Sequence, residues 1–382
     1  MKAVKEILYP ELLAIAGQFQ PLESISTIEE LGSGNVNDTF LVTLDRCGEN
    51  RNFVLQRINS HVFNNPENVI LNLKVVGQHI KNKLTSNSID LSGRRWEVPI
   101  LLTTLKDQKY WVRKEEQIWR AITFINNAST IDVLSSDKNP FEIGYGLGMF
   151  HYLINDLSTN EIEDTLPEFH VTPSYLREYD FALSNFHQQR QIPSINEQKI
   201  KFAMDFITKH RQGADVLEEA LRKGELKRRP IHGDPKINNI MFDTKTNQAV
   251  GLIDLDTVSP GLIHYDIGDC LRSCCNQAGE ESEDLEKVFF NLSICEDILG
   301  GYLSIAKEFL SEEDYLYIPF CIKLITFELG LRFFTDHLNG DIYFKTKYPG
   351  HNLHRARVQF HLTESIAAQW GSMVNLISRL RS

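Results

Sequence analysis

The chain has 382 residues, 42% of them hydrophobic and 24% charged, which is enough for two or three domains' worth of core without covalent staples. Its formal net charge of −11 repels phosphate backbones, and the one basic cluster, Lys227 to Arg229, is too short to reverse that; nucleic acid is excluded as a partner. No window approaches the roughly 18 uninterrupted apolar residues of a membrane span, which excludes a membrane partner.

The first residues, "MKAVKEILYPELLAIAGQF", are interrupted by Pro10 and Glu11 before any signal-like apolar run develops. Six cysteines, at 47, 270, 274, 275, 295 and 321, form no CxxC pair and no regular spacing. Reduced thiols in a cytoplasm are the simplest reading, with Cys274 and Cys275 as core packing rather than a redox or metal feature.

From about Thr27 to Asn126, short β-type runs recur: "TIEELGSGNVNDTFLVTL", "NFVLQRIN", "YWVR" and "QIWRAITFI". One helical segment interrupts them, near "NPENVILNLKVVGQHIKNKL". Within the first run, Gly32 and Gly34 suit a hairpin whose backbone N–H groups approach an anion, and an ordinary hairpin explains them as well. Arg57 stands in "NFVLQRIN" where a nucleotide-binding strand would carry a phosphate-pairing lysine. Glu67 is the nearest candidate for its ion-pair partner, although an acidic residue at a helix N-terminus also complements the helix dipole.

Beyond Pro140 the apolar spacing becomes helical in "FEIGYGLGMFHYLINDL", "YLREYDFALSNF", "EKVFFNLSICEDILGGYLSIAKEFL", "YIPFCIKLITFELGLRFFTDHL" and "RARVQFHLTESIAAQWGSMVNLISRL". Strand signals inside this region are confined to Arg229–Asp256. The pattern predicts an α+β chain of two lobes, a small β-rich lobe over residues 1–126 and a large, mainly helical lobe over residues 127–382.

Between two of those short strands lies "HGDPKINN", in which His232, Asp234 and Asn239 have the spacing H-x-D-x-x-x-x-N of a protein-kinase catalytic loop. A second carboxylate, Asp254, follows Asn239 by 15 residues at the end of the apolar run "GLIDLD". Phosphoryl transfer needs such a set, because the protein must hold Mg²⁺ against the phosphates of ATP and aim a hydroxyl at phosphorus. Asp234 is the candidate base; Asn239 and Asp254 are the candidate metal ligands. A lone D-x-x-x-x-N is more often a turn whose side chains bond nearby backbone, and it is the combination with "IDLD" that points to catalysis. Asp256, Asp266 and Asp269 read as braces of that loop, and His170 as a satisfied structural histidine.

The run "HGDPKINNIMFD...GLIDLDTVSPGLIHYDIGDCLRS" resembles the aminoglycoside phosphotransferase and choline kinase superfamily of protein-kinase-like folds. Within it, "DPKINN", "IDLDTVSPG" and "YDIGD" are most similar to the N-acetylhexosamine 1-kinases, which phosphorylate an anomeric hydroxyl using ATP and Mg²⁺. The resemblance implies Asp234 as base, Asn239 and Asp254 as magnesium ligands, and Arg332 and Tyr343 as sugar-side residues. It implies an N-acetylhexosamine as the small-molecule partner. A third loop glycine is absent, Asn37 standing in its place, and arginine replaces lysine at position 57. Two other readings stay open: a kinase of another small alcohol, such as an aminoglycoside or amino alcohol, and a nucleotide-binding module without catalysis.

Overall fold

The computed structural model describes residues 2–32, 36–46, 49–86, 89, 91–134, 139–189 and 197–381. Gly34 and Cys47 lie outside them. The chain divides into two compact units, one made of Met1–Ala128 with Asp156–Leu166 and Ile253–Ser259, the other of Ser129–Asn155, Pro167–Leu252 and Pro260–Ser382.

The first unit is built on a five-stranded antiparallel sheet. After helix α1 (Lys2–Ala16) come β1 (Ile25–Glu30), β2 (Asp38–Arg46) and β3 (Glu49–Ile58), then α2 (Pro66–Thr85), β4 (Val112–Lys114) and β5 (Gln117–Thr123). Spatial order is β1-β2-β3-β5-β4. Alternation along the strands puts Val42, Leu44, Phe53, Leu55, Trp119 and Ala121 on one face, where Leu12, Ile15 and Ala16 of α1 cover them. The sequence left α1 unassigned, and Pro10 lies inside it rather than ending it.

In the second unit, α3 (Pro140–Ile154), α4 (Thr172–Gln189), α5 (Glu197–His210) and α6 (Val216–Lys223) precede three short strands, β6 (Arg229–Ile231), β7 (Ile240–Asp243) and β8 (Ala249–Leu252). Five helices follow: α7 (Ile263–Cys274), α8 (Leu292–Ala306), α9 (Glu312–Leu338), α10 (His351–Ala368) and α11 (Trp370–Arg381). The mixed α+β class is as expected. The C-terminal apolar run, which predicts one helix, is instead two, separated at Gln369, where φ is −102°. No described helix is long and apolar enough to cross a membrane.

The long helix α9 is amphipathic only locally. Phe327, Leu331 and Phe334 are buried as their spacing predicts, in a core with Tyr179, Phe206, Ala356 and Phe360. Asp314 closes a capping box with Ser311 at its start and pairs with the buried Arg229 of β6. The five described cysteines, Cys274 and Cys275 among them, are buried and unpaired by disulfides.

Helices α3 and α8 meet backbone to backbone. A Cβ placed on Gly144 would lie 1.7 Å from the Ile298 carbonyl oxygen, and one on Gly301 would lie 1.9 Å from that of Phe141. Only hydrogen fits at either position. A Cβ on neighbouring Gly300 would have nothing within 4 Å, and this residue is simply a poor helix former. Gly301→Ala is therefore expected to lower stability by about 1–3 kcal/mol through forced separation of the helices. Gly300→Ala should be neutral or stabilising by up to about 1 kcal/mol. Denaturant midpoints of the two variants check this, and equal midpoints would contradict the close approach.

Candidate active site

The loop between β6 and β7 carries the motif, and its backbone is held from several sides. Gly233 sits at φ +87°, a left-handed conformation that favours glycine, and this turns consecutive N–H groups in one direction. The N–H groups of His232 and Gly233 donate to Asp266 of α7, to Oδ2 at 2.7 Å and Oδ1 at 2.8 Å. Asp266 is fully buried. Its Oδ2 also meets Nε2 of His151 from α3 at 2.8 Å, and Nδ1 of His151 meets the Tyr302 hydroxyl of α8 at 3.0 Å. The brace expected of Asp266 is thus a chain running through three helices to the loop.

The next residue, Asp234, is partly exposed. Its backbone N–H donates to Nδ1 of His232 at 3.2 Å, and its Oδ2 lies 2.6 Å from Nζ of Lys236. Sequence reasoning assigned Lys236 no role, though its place two residues after the aspartate was the available signal. Asn239 is brought to the same spot: its Nδ2 donates to the Asp234 carbonyl oxygen at 2.7 Å and lies 3.3 Å from Asp234 Oδ2. A carbonyl can only accept, so the amide orientation follows, and Oδ1 of Asn239 takes no hydrogen bond from any described residue. A neutral oxygen donor free in this way fits Mg²⁺, which takes few protein ligands and keeps waters and phosphate oxygens. No cage of three or more His, Cys, Asp or Glu is present among the described residues.

Asp254 belongs to the first unit, exposed, at φ +62° and ψ +55°, immediately before a short 3-10 turn. Two residues on, Asp256 is 3% exposed and accepts from Arg120 Nη2 of β5 and from Asn37 Nδ2. Arg120 is held further by Gln56 Oε1 of β3 at 2.7 Å. Asn37 accepts the backbone N–H of Asn59 at 2.9 Å. The missing third glycine thereby has a physical reason, since Asn37 ties the strand entry to Asp256. Asp256 braces this segment through the side chains of Arg120 and Asn37.

Around the glycine-containing turn, Gly32 has φ +73° and needs no side chain. Arg57 lies opposite Asp38 in the β2–β3 register and donates to its Oδ2 at 2.7 Å through Nε. On its other side its guanidinium carbon is 5.7 Å from the Trp119 ring centre. Glu67 pairs with Arg113 instead. The expected Arg57–Glu67 pair is not formed, because the cross-strand carboxylate of Asp38 is the nearer partner.

Arg332 of α9 is enclosed by aromatic rings. Its guanidinium carbon lies 4.9 Å from the Tyr175 ring centre, 5.0 Å from Phe169, 5.5 Å from Phe344 and 6.0 Å from Tyr343. It has no ion pair or hydrogen bond with any described residue. Burial works against its charge, yet Tyr175, Tyr343, Glu328 and Asp269 together hold the guanidinium more firmly protonated than usual. Tyr343 itself is exposed, on a turn that buried Asp336 staples by accepting the N–H groups of Ile342, Tyr343 and Phe344. Phe169, which packs on Arg332, precedes His170, whose Nε2 lies 2.9 Å from the Gly233 carbonyl oxygen. A dipeptide thus joins the Arg332 enclosure to the Asp234 loop.

A model of the phosphotransferase enzyme family matches residues 27–288. Among solved structures, the chain is similar to an aminoglycoside phosphotransferase from Alicyclobacillus acidocaldarius, with 14% identity over 96% of each chain and a TM-score of 0.58. It is similar to a choline kinase from Cryptosporidium parvum, with 12% identity over 99% of each chain and a TM-score of 0.54. A spectinomycin phosphotransferase solved in complex with ADP and spectinomycin is also similar, at 10% identity over 94% of this chain and 98% of that one, with a TM-score of 0.52. Identities this low speak for a shared fold alone. The family match covers well over half of the 382 residues and includes the whole H-x-D-x-x-x-x-N loop, and the chain belongs to the phosphotransferase enzyme family.

Proposed function

We propose that this protein is an ATP-dependent small-molecule kinase whose acceptor is the anomeric hydroxyl of an N-acetylhexosamine, giving a sugar 1-phosphate. The observation that carries the acceptor reading is the aromatic enclosure around Arg332. Rings gathered in this way would suit an ammonium ligand, but here their faces already hold the protein's own cation. A cationic aminoglycoside or amino alcohol would meet like charge. A neutral sugar instead offers hydroxyl and acetamido oxygens that accept from the guanidinium, and the Tyr343 hydroxyl adds a second polar contact.

Asp234 is the general base in this reading: its carboxylate takes the proton of the acceptor hydroxyl as that oxygen attacks the terminal phosphorus. Lys236, beside it, supplies positive charge where the transferred group is negative. Asn239 and Asp254 are assigned to magnesium by their motif positions, and the free Oδ1 of Asn239 supports the first of these. When bound, the metal neutralises charge on the phosphate oxygens. Gly32, Gly34, Arg57 and Glu67 are assigned to the nucleotide side, Arg57 and Glu67 through separate ion pairs. The relative solved with ADP supports ATP as donor, and a cytoplasm is where ATP is supplied.

Asp234→Asn keeps the shape of the base but cannot take a proton, so kcat should fall by about 10² to 10⁴ while nucleotide affinity is retained. Equal losses in both would point to misfolding. Asp254→Ala should leave a folded protein without turnover, and full activity in that variant would remove the residue from the mechanism. Arg332→Ala is expected to raise KM or lower kcat for the sugar by about tenfold or more, with KM for ATP nearly constant. The wild type, assayed across hexosamines, choline, ethanolamine and aminoglycosides, should prefer an N-acetylhexosamine; preference for an amine would overturn the acceptor assignment and leave the kinase reading standing.

A further inference from the structure

Both ring nitrogens of His170 face acceptors. Nδ1 lies 2.9 Å from Oε1 of Glu328 on α9, and Nε2 lies 2.9 Å from the Gly233 carbonyl oxygen. A neutral imidazole has one N–H and one lone pair, so it would turn a lone pair toward an oxygen on one side. The pair is buried, with His170 at 4% and Glu328 at 1% exposure, and Thr172 donates to the second Glu328 oxygen at 2.7 Å. His170 holds φ +63°, and Glu168 just before it holds φ +65°. Two left-handed non-glycine residues in three mark a segment bent against its own preference to deliver that ring.

We infer that His170 is a positioning residue, an imidazolium locked by Glu328 that fixes the peptide joining Gly233 to Asp234. That peptide is gripped at both ends. Its carbonyl accepts from His170, and its N–H donates to Nδ1 of His232. The inference rests on the reading of Asp234 as the base, because orienting this peptide orients the Cα that carries the carboxylate. Removing the His170 proton would leave either the Gly233 carbonyl or Oε1 of Glu328 without the imidazole donor in a buried place.

The surroundings favour the charged ring. Burial pulls the His170 pKa down, but the hydrogen bond and charge of Glu328, then the charge of Asp269 on α7 and the Gly233 carbonyl, raise it above the ordinary imidazole value. From the other sides the ring meets the rings of Phe169, at 4.1 Å between centres, and Tyr265 of α7, at 5.5 Å. With the folded value raised, the positioning is complete below the ordinary histidine pKa and is lost as pH rises through the folded one.

The first test needs no activity: ¹⁵N NMR of histidine-labelled wild type at neutral pH. Two protonated ring nitrogens on His170 are expected. A neutral ring, with the proton on Glu328 instead, would overturn the inference. The second test is Glu328→Gln, which keeps the shape and removes the charge. Its kcat should fall by about 10- to 10²-fold with KM for ATP unchanged, and its alkaline limb should move to lower pH. Amide exchange at Asp234 should accelerate in the same variant. Unchanged exchange and an unchanged pH profile in a folded Glu328→Gln protein would overturn it. If the wild type transfers no phosphate at all, the kinase reading fails, while NMR and exchange still decide the role of His170.

Discussion

Two neighbouring backbone N–H groups, at His232 and Gly233, point into the interior of the second unit, and one buried carboxylate accepts both. Buried backbone donors must be paired, and each one left unpaired costs about 1–3 kcal/mol. Asp266 meets that requirement, and in doing so it dictates much else. Its own charge needs further partners, which His151 supplies, and His151 in turn needs Tyr302. That sequence of contacts runs from α7 through α3 to α8, and it is possible because Gly144 and Gly301 let α3 and α8 touch along their backbones. Packing density and loop geometry are therefore one problem in this unit. The helices are spaced so that a polar chain can reach the loop.

The first unit solves a similar problem with a buried ion pair. Arg120 and Asp256 are almost wholly enclosed, and such pairs contribute little net stability because both charges lose water. What the pair does is geometric. It fixes the segment carrying Asp254 against β3 and β5, with Gln56 and Asn37 satisfying further lone pairs and protons. The Asn72 side chain adds a contact to the Val258 carbonyl at 2.9 Å. Asp254, two residues before Asp256, holds a left-handed conformation on the segment that these contacts tie down. An aspartate tolerates that conformation better than most residues do.

Polar groups are matched with similar care around Arg332. Asp336, one turn further along α9, accepts three successive N–H groups of the following turn and an amide N–H of Asn352. This places Tyr343 and Phe344 beside Arg332. The guanidinium is stacked on rings and paired with no described residue. Rings set its position without occupying its hydrogen-bond donors.

Much of this was legible along the chain. Strand alternation and three- and four-residue spacing located the sheet and most helices, because those periods follow from backbone geometry whatever the surroundings. The catalytic-loop spacing was legible for a related reason: a short turn must bring its side chains together locally, as Asp234 and Asn239 do. Partners distant in sequence were not legible. Arg57 was matched to Glu67, yet the β2–β3 register brings Asp38 to it, and Glu67 goes to Arg113. Asn37 read as a departure from a glycine pattern until Asp256, 219 residues away, proved to need it. His170 read as a satisfied histidine, which is true, but its partners lie 158 and 63 residues off and set its charge. The break at Gln369 and the helix over Pro10 also lay beyond local pattern. Sequence by itself determined the sheet, most of the helices, the spacing of the loop residues and the family, since these are written in patterns along the chain. Which charge meets which, and therefore which groups have no partner among the described residues, was decided only by tertiary structure, because burial makes each unpaired polar group costly and the fold alone settles who is close enough to pair.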